Sequence, residues 1–116
     1  MGDRRRFEEL VAEALDELPG WVLERIENVE VIVEDRPPRD QPNLLGLYHG
    51  IPLTERGEFH SGPIFPDTIT LYRRTIEREA RGDDGRLRDV VVHTVEHEVA
   101  HHFGISDDRL RELDAY

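Results

Sequence analysis

Four of the six histidines in this chain of 116 residues lie within VVHTVEHEVAHHFGISDDRL, residues 91–110. In this segment HEVAH puts His97 and His101 four residues apart, with Glu98 between them. On a helix both imidazoles would leave the same face one turn apart and could converge on one metal ion. This is the residue pattern of the H-E-x-x-H zinc motif, in which the glutamate meets a metal-bound water from the side. The alternative is a helix that carries these side chains and binds no metal.

A zinc site that does chemistry needs a third protein ligand and keeps a fourth position for water. Fifteen residues follow His101, and Glu112 is the only glutamate among them. Gly104 can end the helix in a left-handed turn that swings the chain back toward the histidines. Asp107 follows three residues later and is the predicted third ligand. Asp108 competes with it, and whichever aspartate is not a ligand is expected to cap the last helix.

The other histidines have less specific interpretations. His102 leaves the helix about 100° from its neighbour, so we do not expect it to be a ligand. His93 lies one turn before His97 and is either a partner that orients it, an alternative ligand or a surface histidine. His49 and His60 fall in the loop-rich middle of the chain, where we expect them to be exposed to solvent.

Hydrophobic periodicity indicates the elements that must position this segment. The predicted elements are a helix over 7–18, a short helix over 21–26, strands over 29–35 and 44–50, a strand that turns into a helix over 68–80, the histidine helix from Leu87, and a short helix ending close to Tyr116. The segment between the second and third strands, residues 51–67, is predicted to be a functional loop because it is long and rich in turn residues. Helices, then strands, then helices indicate a single small α+β domain over residues 1–116.

Composition restricts the compartment and the partners. The net charge of −11 argues against nucleic acid and anionic membrane as partners, since phosphate neutralisation needs a basic face. The chain has no cysteine, which excludes disulfides and thiolate zinc sites. No apolar run approaches the roughly 20 residues of a membrane span, and acidic residues interrupt the N-terminal stretch where a signal peptide would be apolar. A cytoplasmic protein is expected.

HEVAHHFGISD resembles the H-E-x-x-H-x-x-G-x-x-D signature of aspartate zincins. The chain as a whole, including GIPLTERG and PDTITLYRR, looks like the small bacterial metallopeptidase-like family called minimal zincins. The resemblance implies a zincin-like α+β fold with a short mixed sheet packed on the active-site helix. It also implies one Zn²⁺ held by His97, His101 and Asp107, with Glu98 as the catalytic base.

The chain departs from larger zincins in two respects. Those proteins have a methionine turn beneath the metal, whereas the only methionine here is Met1. They also have a second subdomain that forms the other wall of the cleft, and this chain has no residues for one. Tyr116 is therefore the candidate to support the site and to donate a hydrogen bond to the substrate oxyanion, and the alternative is that it belongs to a frayed terminus.

The resemblance implies a zinc-dependent peptidase in which Glu98 takes a proton from zinc-bound water and returns it to the leaving amine. We expect an extended substrate to pair with an edge strand around Thr68–Tyr72, and the 51–67 loop to set specificity. The arginine-rich surroundings suggest acidic peptides. The rival hypothesis is a zincin-fold protein that binds a peptide or protein partner without cleaving it. A homodimer that closes the open cleft is expected under either hypothesis.

Overall fold

The computed structural model describes residues 3–26, 28–52 and 66–113. The helices are α1 (Asp3–Asp16), α2 (Gly20–Arg25), α3 (Arg73–Ala80), α4 (Asp84–His102) and α5 (Asp107–Glu112). The strands are β1 (Val29–Glu34), β2 (Gly46–His49) and β3 (Asp67–Tyr72). They form a sheet of order β1-β3-β2, in which β3 is parallel to β1 and antiparallel to β2. The predicted α+β fold with a short mixed sheet is confirmed.

The position of β3 contradicts one prediction. We expected the segment Thr68–Tyr72 to be an edge strand, but β3 is central because β1 pairs with one of its sides and β2 with the other. The short strand β2 is the edge beside α4 and is therefore the strand that an extended ligand could reach. None of the helices in the described ranges has the length and apolar character of a membrane span.

The histidine-bearing helix α4 begins three residues earlier than its apolar pattern predicted. Its first residue is Asp84, whereas the pattern starts at Leu87. The side chain of Asp83 accepts a hydrogen bond of 2.9 Å from the backbone N–H of Arg86, which caps the helix at this earlier point.

The hydrophobic core lies between the sheet and the helices α1, α3 and α4. The periodic apolar residues of α1 pack against α4, as their spacing predicted. The largest apolar side chains that are fully buried in this core are Phe7, Ile69, Leu71 and Ile76.

Two opposite faces of α4 have different roles. Val91, Val95 and Val99 repeat every four residues and are buried in the core. His97 and His101 are offset from these valines by two positions, or about 200° around the helix. The packed valine face therefore holds the histidine face in place.

Strand β2 passes close over a third face of α4, which carries Thr94 and Glu98. This approach depends on Gly46, because a Cβ atom there would lie 2.8 Å from Thr94 Cγ2 and 3.3 Å from Glu98 Cγ. A glycine at this position thus lets the edge strand form one wall of a cleft above the helix.

Candidate metal centre

Three donor atoms converge at the C-terminal end of α4. The Nε2 atoms of His97 and His101 lie 3.2 Å apart. Asp107 Oδ1 lies 3.2 Å from Nε2 of His97 and 2.9 Å from Nε2 of His101. Two imidazoles and one carboxylate are a donor set that Zn²⁺ takes in catalytic sites. The three residues sequence analysis grouped as ligands are thus brought together, in an arrangement that fits a divalent cation.

The turn after α4 brings Asp107 to the histidines. Gly104 adopts a positive φ of 86°, which ends the helix, and Ile105 N–H donates to the carbonyl of Ala100 at 3.0 Å. The side chain of Ser106 then accepts a hydrogen bond from the backbone N–H of Arg109 and caps α5. The cap we assigned to Asp107 or Asp108 is therefore wrong, because Ser106 already occupies that position.

The two competing aspartates have different surroundings. Asp107 belongs to the donor cluster, and 48% of its side chain is exposed. The side chain of Asp108 is 91% exposed and pairs with Arg111 at 3.4 Å. Only Asp107 lies with the histidines in the described part of the chain.

The protonation of the histidines suits metal binding. Burial lowers the pKa of His97, and the neighbouring His101 lowers it further, while Asp107 opposes the shift. The imidazole of His97 therefore stays neutral near pH 7, which is the form that binds metals. Nδ1 of His101 lies 2.9 Å from the carbonyl oxygen of Ile105. A proton on Nδ1 would donate to that carbonyl and leave Nε2 available as a ligand.

Glu98 is the buried carboxyl beside this cluster, with 6% of its surface exposed. Burial raises its pKa to about 7, the charge of His101 lowers it, the charge of Asp107 raises it, and a backbone hydrogen bond from Tyr48 lowers it. A carboxyl group with this pKa can take and return a proton near neutral pH.

Two grooves meet at Glu98 and form one open cleft between β2 and α4. One has a volume of about 700 Å³ and runs back along α4, and the other, of about 540 Å³, passes over the donor cluster. Both grooves are lined by Gln41, Leu44, Gly46, His97 and Glu98. The donor cluster and Glu98 are therefore accessible to an extended ligand from both sides.

A buried polar cluster that the sequence did not predict lies behind the site. His102 is 1% exposed, and its Nδ1 lies 3.0 Å from Oδ2 of Asp67. The hydroxyl of Tyr48 donates to the same oxygen at 2.5 Å, and the backbone N–H of Ile51 donates to Oδ1 at 3.3 Å. This cluster ties the end of α4 to β2 and to both ends of the segment between β2 and β3. The one feature of the sequence that could have indicated this cluster is Asp67, a polar residue at the start of the buried strand β3.

The remaining predicted residues have mixed outcomes. His93 is exposed, and its ring centroid lies 6.3 Å from that of His97. His49 is exposed at the end of β2, as expected. His60, Tyr116 and residues 53–65 of the predicted specificity loop lie outside the described residues.

A small mixed sheet, two histidines on a packed helix and a carboxylate at the start of the next helix are the features of a zincin-like protein. The chain belongs to the zincin-like metallopeptidase family, whose family model matches residues 26–116. The match includes the sheet, α4 and the whole donor cluster, and it confirms the resemblance found in the sequence. Comparison with curated proteins finds no match.

Proposed function

We propose that the protein is a zinc-dependent peptidase in which His97, His101 and Asp107 hold one Zn²⁺. The observation that carries this proposal is the convergence of the three donor atoms, which all lie within 4.8 Å of one another, next to the buried Glu98. With three protein ligands and one open position, a bound Zn²⁺ supplies the Lewis acidity that polarises a peptide carbonyl and acidifies water.

Glu98 acts in this proposal as the proton carrier. Its carboxylate takes a proton from the attacking water, and the resulting acid gives the proton to the amine that leaves. Burial supports this role because it raises the pKa of Glu98 to about 7. The hydrogen bond from the Tyr48 backbone orients the carboxylate from the β2 side.

Strand β2 would bind the substrate backbone. It is the sheet edge beside the cleft, and Gly46, Leu47 and Tyr48 line the groove over the donor cluster. An extended peptide could pair with this edge through main-chain hydrogen bonds, which would place a peptide carbonyl between β2 and Glu98.

The test is peptide hydrolysis by the zinc-loaded protein, followed by mass spectrometry of a mixed peptide library. Glu98→Gln is expected to keep its zinc and to lose about 10²- to 10⁴-fold in turnover, because the proton carrier is removed. Glu96→Gln is the matched control, since Glu96 is exposed on the same helix and lines neither groove. Equal turnover of wild type and Glu98→Gln would contradict the assignment of the base.

A second candidate function is peptide or partner binding without cleavage. The cleft is open among the described residues, where 48% of the Asp107 side chain is exposed to solvent, and this favours binding without cleavage. Binding of library peptides by the wild type without any product would support this alternative. A homodimer that closes the cleft stays a prediction, which light scattering of the zinc-loaded protein would test.

A further inference from the structure

Strand β2 meets one row of side chains on α4, and Tyr48 contacts two members of that row. Thr94, Glu98 and His102 are spaced by four residues and therefore lie along one face of the helix. The backbone N–H of Tyr48 donates a hydrogen bond to the carboxylate of Glu98. The ring of Tyr48 lies edge-on to the ring of His102, with the two centroids 5.8 Å apart. One residue of the edge strand thus contacts both the proposed base and the residue one helical turn beyond it.

The pairing of β2 with β3 does not fix the backbone of Tyr48. The N–H of Tyr72 donates to the carbonyl of Leu45 at 2.9 Å, so these two residues form a hydrogen-bonded pair of the antiparallel ladder. Hydrogen-bonded and non-hydrogen-bonded pairs alternate along such a ladder, so Tyr48 and Ile69 form a non-hydrogen-bonded pair. The N–H and C=O groups of Tyr48 therefore point away from β3, and their direction is fixed by something other than the ladder.

The side chain of Tyr48 provides that fixed point. Its hydroxyl donates to Oδ2 of Asp67 at 2.5 Å and lies 3.3 Å from Nδ1 of His102. Both partners are almost completely buried, with exposed fractions of 4% and 1%. The backbone of Gly50 packs closely against the same carboxylate, because a Cβ atom at this glycine would overlap it. The hydroxyl of Tyr48 is therefore held by buried groups that leave little room for the end of β2 to move.

We infer that Tyr48 is a positioning residue for Glu98. Its side chain, anchored by Asp67 and His102, fixes the strand so that its backbone N–H faces the carboxylate of Glu98. This inference rests on the proposed role of Glu98 as the proton carrier. The hydroxyl of Tyr48 transfers no proton in this arrangement, because it donates to Asp67. Without the hydroxyl, the backbone N–H would be free to turn away from Glu98, and a misplaced base lowers turnover.

The first measurement is the exchange of individual backbone amides with solvent, followed by NMR in the metal-free protein, so it depends neither on zinc nor on turnover. In Tyr48→Phe, the amide of residue 48 is expected to exchange about tenfold faster than in the wild type, because its hydrogen bond to a carboxylate is weakened. In the Glu98→Ala background the same substitution should change this rate by about twofold or less, since the acceptor is already gone. A general loss of stability would instead raise the rate by the same factor in both backgrounds.

Tyr72→Phe is the matched control, because Tyr72 is a buried tyrosine of the same sheet whose hydroxyl forms no hydrogen bond among the described residues. It should leave the exchange rate of residue 48 unchanged. Asp67→Asn is a second variant that weakens the same anchor while leaving Tyr48 in place. It should speed the exchange of residue 48 about three- to tenfold, because a neutral amide is a weaker acceptor than a carboxylate.

The second measurement is turnover of the peptides that the wild type cleaves in the library. Tyr48→Phe is expected to lower kcat about tenfold, whereas Tyr72→Phe should keep the wild-type kcat. In the Glu98→Gln background, Tyr48→Phe should lower kcat by about twofold or less, because the proton carrier that it positions is already removed.

The outcomes separate this inference from the proposed function. An exchange rate at residue 48 that is unchanged in Tyr48→Phe, or raised by the same factor with and without Glu98, would overturn the inference. If the wild type and Tyr48→Phe cleave peptides at the same rate, the peptidase function stands and the inference is wrong. If exchange follows the expected pattern but the wild type cleaves nothing, the placement of Glu98 by Tyr48 stands and the peptidase function is wrong.

Discussion

Removing the buried carboxylate of Asp67 is expected to destabilise the protein by about 3–5 kcal/mol. Asp67 is 4% exposed and accepts hydrogen bonds from Tyr48, at 2.5 Å, and from the backbone of Ile51, at 3.3 Å. His102 Nδ1 lies 3.0 Å from the same carboxylate. Asp67→Ala would remove the carboxylate that the part-buried Tyr48 hydroxyl and the buried His102 ring share, and losing the partner of a buried polar group costs about 1–3 kcal/mol.

The ring of His102 is especially sensitive to this change. Its Nε2 atom is buried and has no hydrogen-bond partner in the described residues. With Asp67 gone, Nδ1 would lose its carboxylate partner, and the Tyr48 hydroxyl, 3.3 Å away, would be the polar group left beside the ring. The free energy of unfolding that Asp67→Ala loses should therefore be well above that lost in an ordinary surface substitution.

The assay is thermal unfolding of the metal-free protein, followed by circular dichroism. For a chain of this length about 1 kcal/mol corresponds to roughly 4 °C, so Asp67→Ala should melt about 12–20 °C below the wild type. Asp40→Ala is the control because Asp40 is exposed, and it should lie within about 0.5 kcal/mol of the wild type. Combining Tyr48→Phe with Asp67→Ala should show a coupling of about 0.5–3 kcal/mol. A fall in melting temperature in Asp67→Ala no larger than that in Asp40→Ala would refute the stabilising role of the buried cluster.

Two further predictions concern the pH dependence of the metal-free protein and the turn after α4. The pKa of Glu98 is raised from 4.5 to about 7. The stability that this shift contributes is full below pH 4.5 and is lost as the pH rises through 7. Urea denaturation should therefore find Glu98→Gln about 3 kcal/mol more stable than the wild type at pH 8 and nearly equal to it at pH 4.5. A difference in stability that stays constant across this pH range would contradict the shift. Gly104 and Gly82 have φ values of 86° and 78°, so alanine at either should cost about 1–2 kcal/mol. In zinc titrations only Gly104→Ala should also weaken binding, because it displaces Asp107, and equal affinities for the two variants would count against that role.

The donor cluster was predictable because its residues are close in sequence. His97, His101 and Asp107 lie within eleven positions, so a helix of known pitch and one glycine turn determine how they meet. The locations of helices and strands were likewise predictable from local hydrophobic periodicity, but their ends were not: α1 begins at Asp3 and α4 at Asp84, four and three residues before their apolar patterns start.

Pairing between distant segments was not predictable in this way. The sequence predicts β3 as an edge strand because the residues of a single strand do not show how many neighbouring strands pair with it. The cluster of Tyr48, Asp67 and His102 joins residues 19 and 35 positions apart, and it forms only once β2 lies on α4. The last helix is capped by Ser106 where two aspartates had been expected, because the chain reaches α5 one residue sooner.

The most direct test of the central claim is zinc stoichiometry, measured by mass spectrometry of the purified protein after chelation and zinc add-back. We expect about one zinc per chain in the wild type and in Asp108→Ala, because three protein donors and one water complete a four-coordinate zinc site. His97→Ala and Asp107→Ala should each lose most of it, since each removes a converging donor. Zinc near zero in the wild type after add-back, or a wild-type zinc content in His97→Ala, would contradict the proposed metal centre.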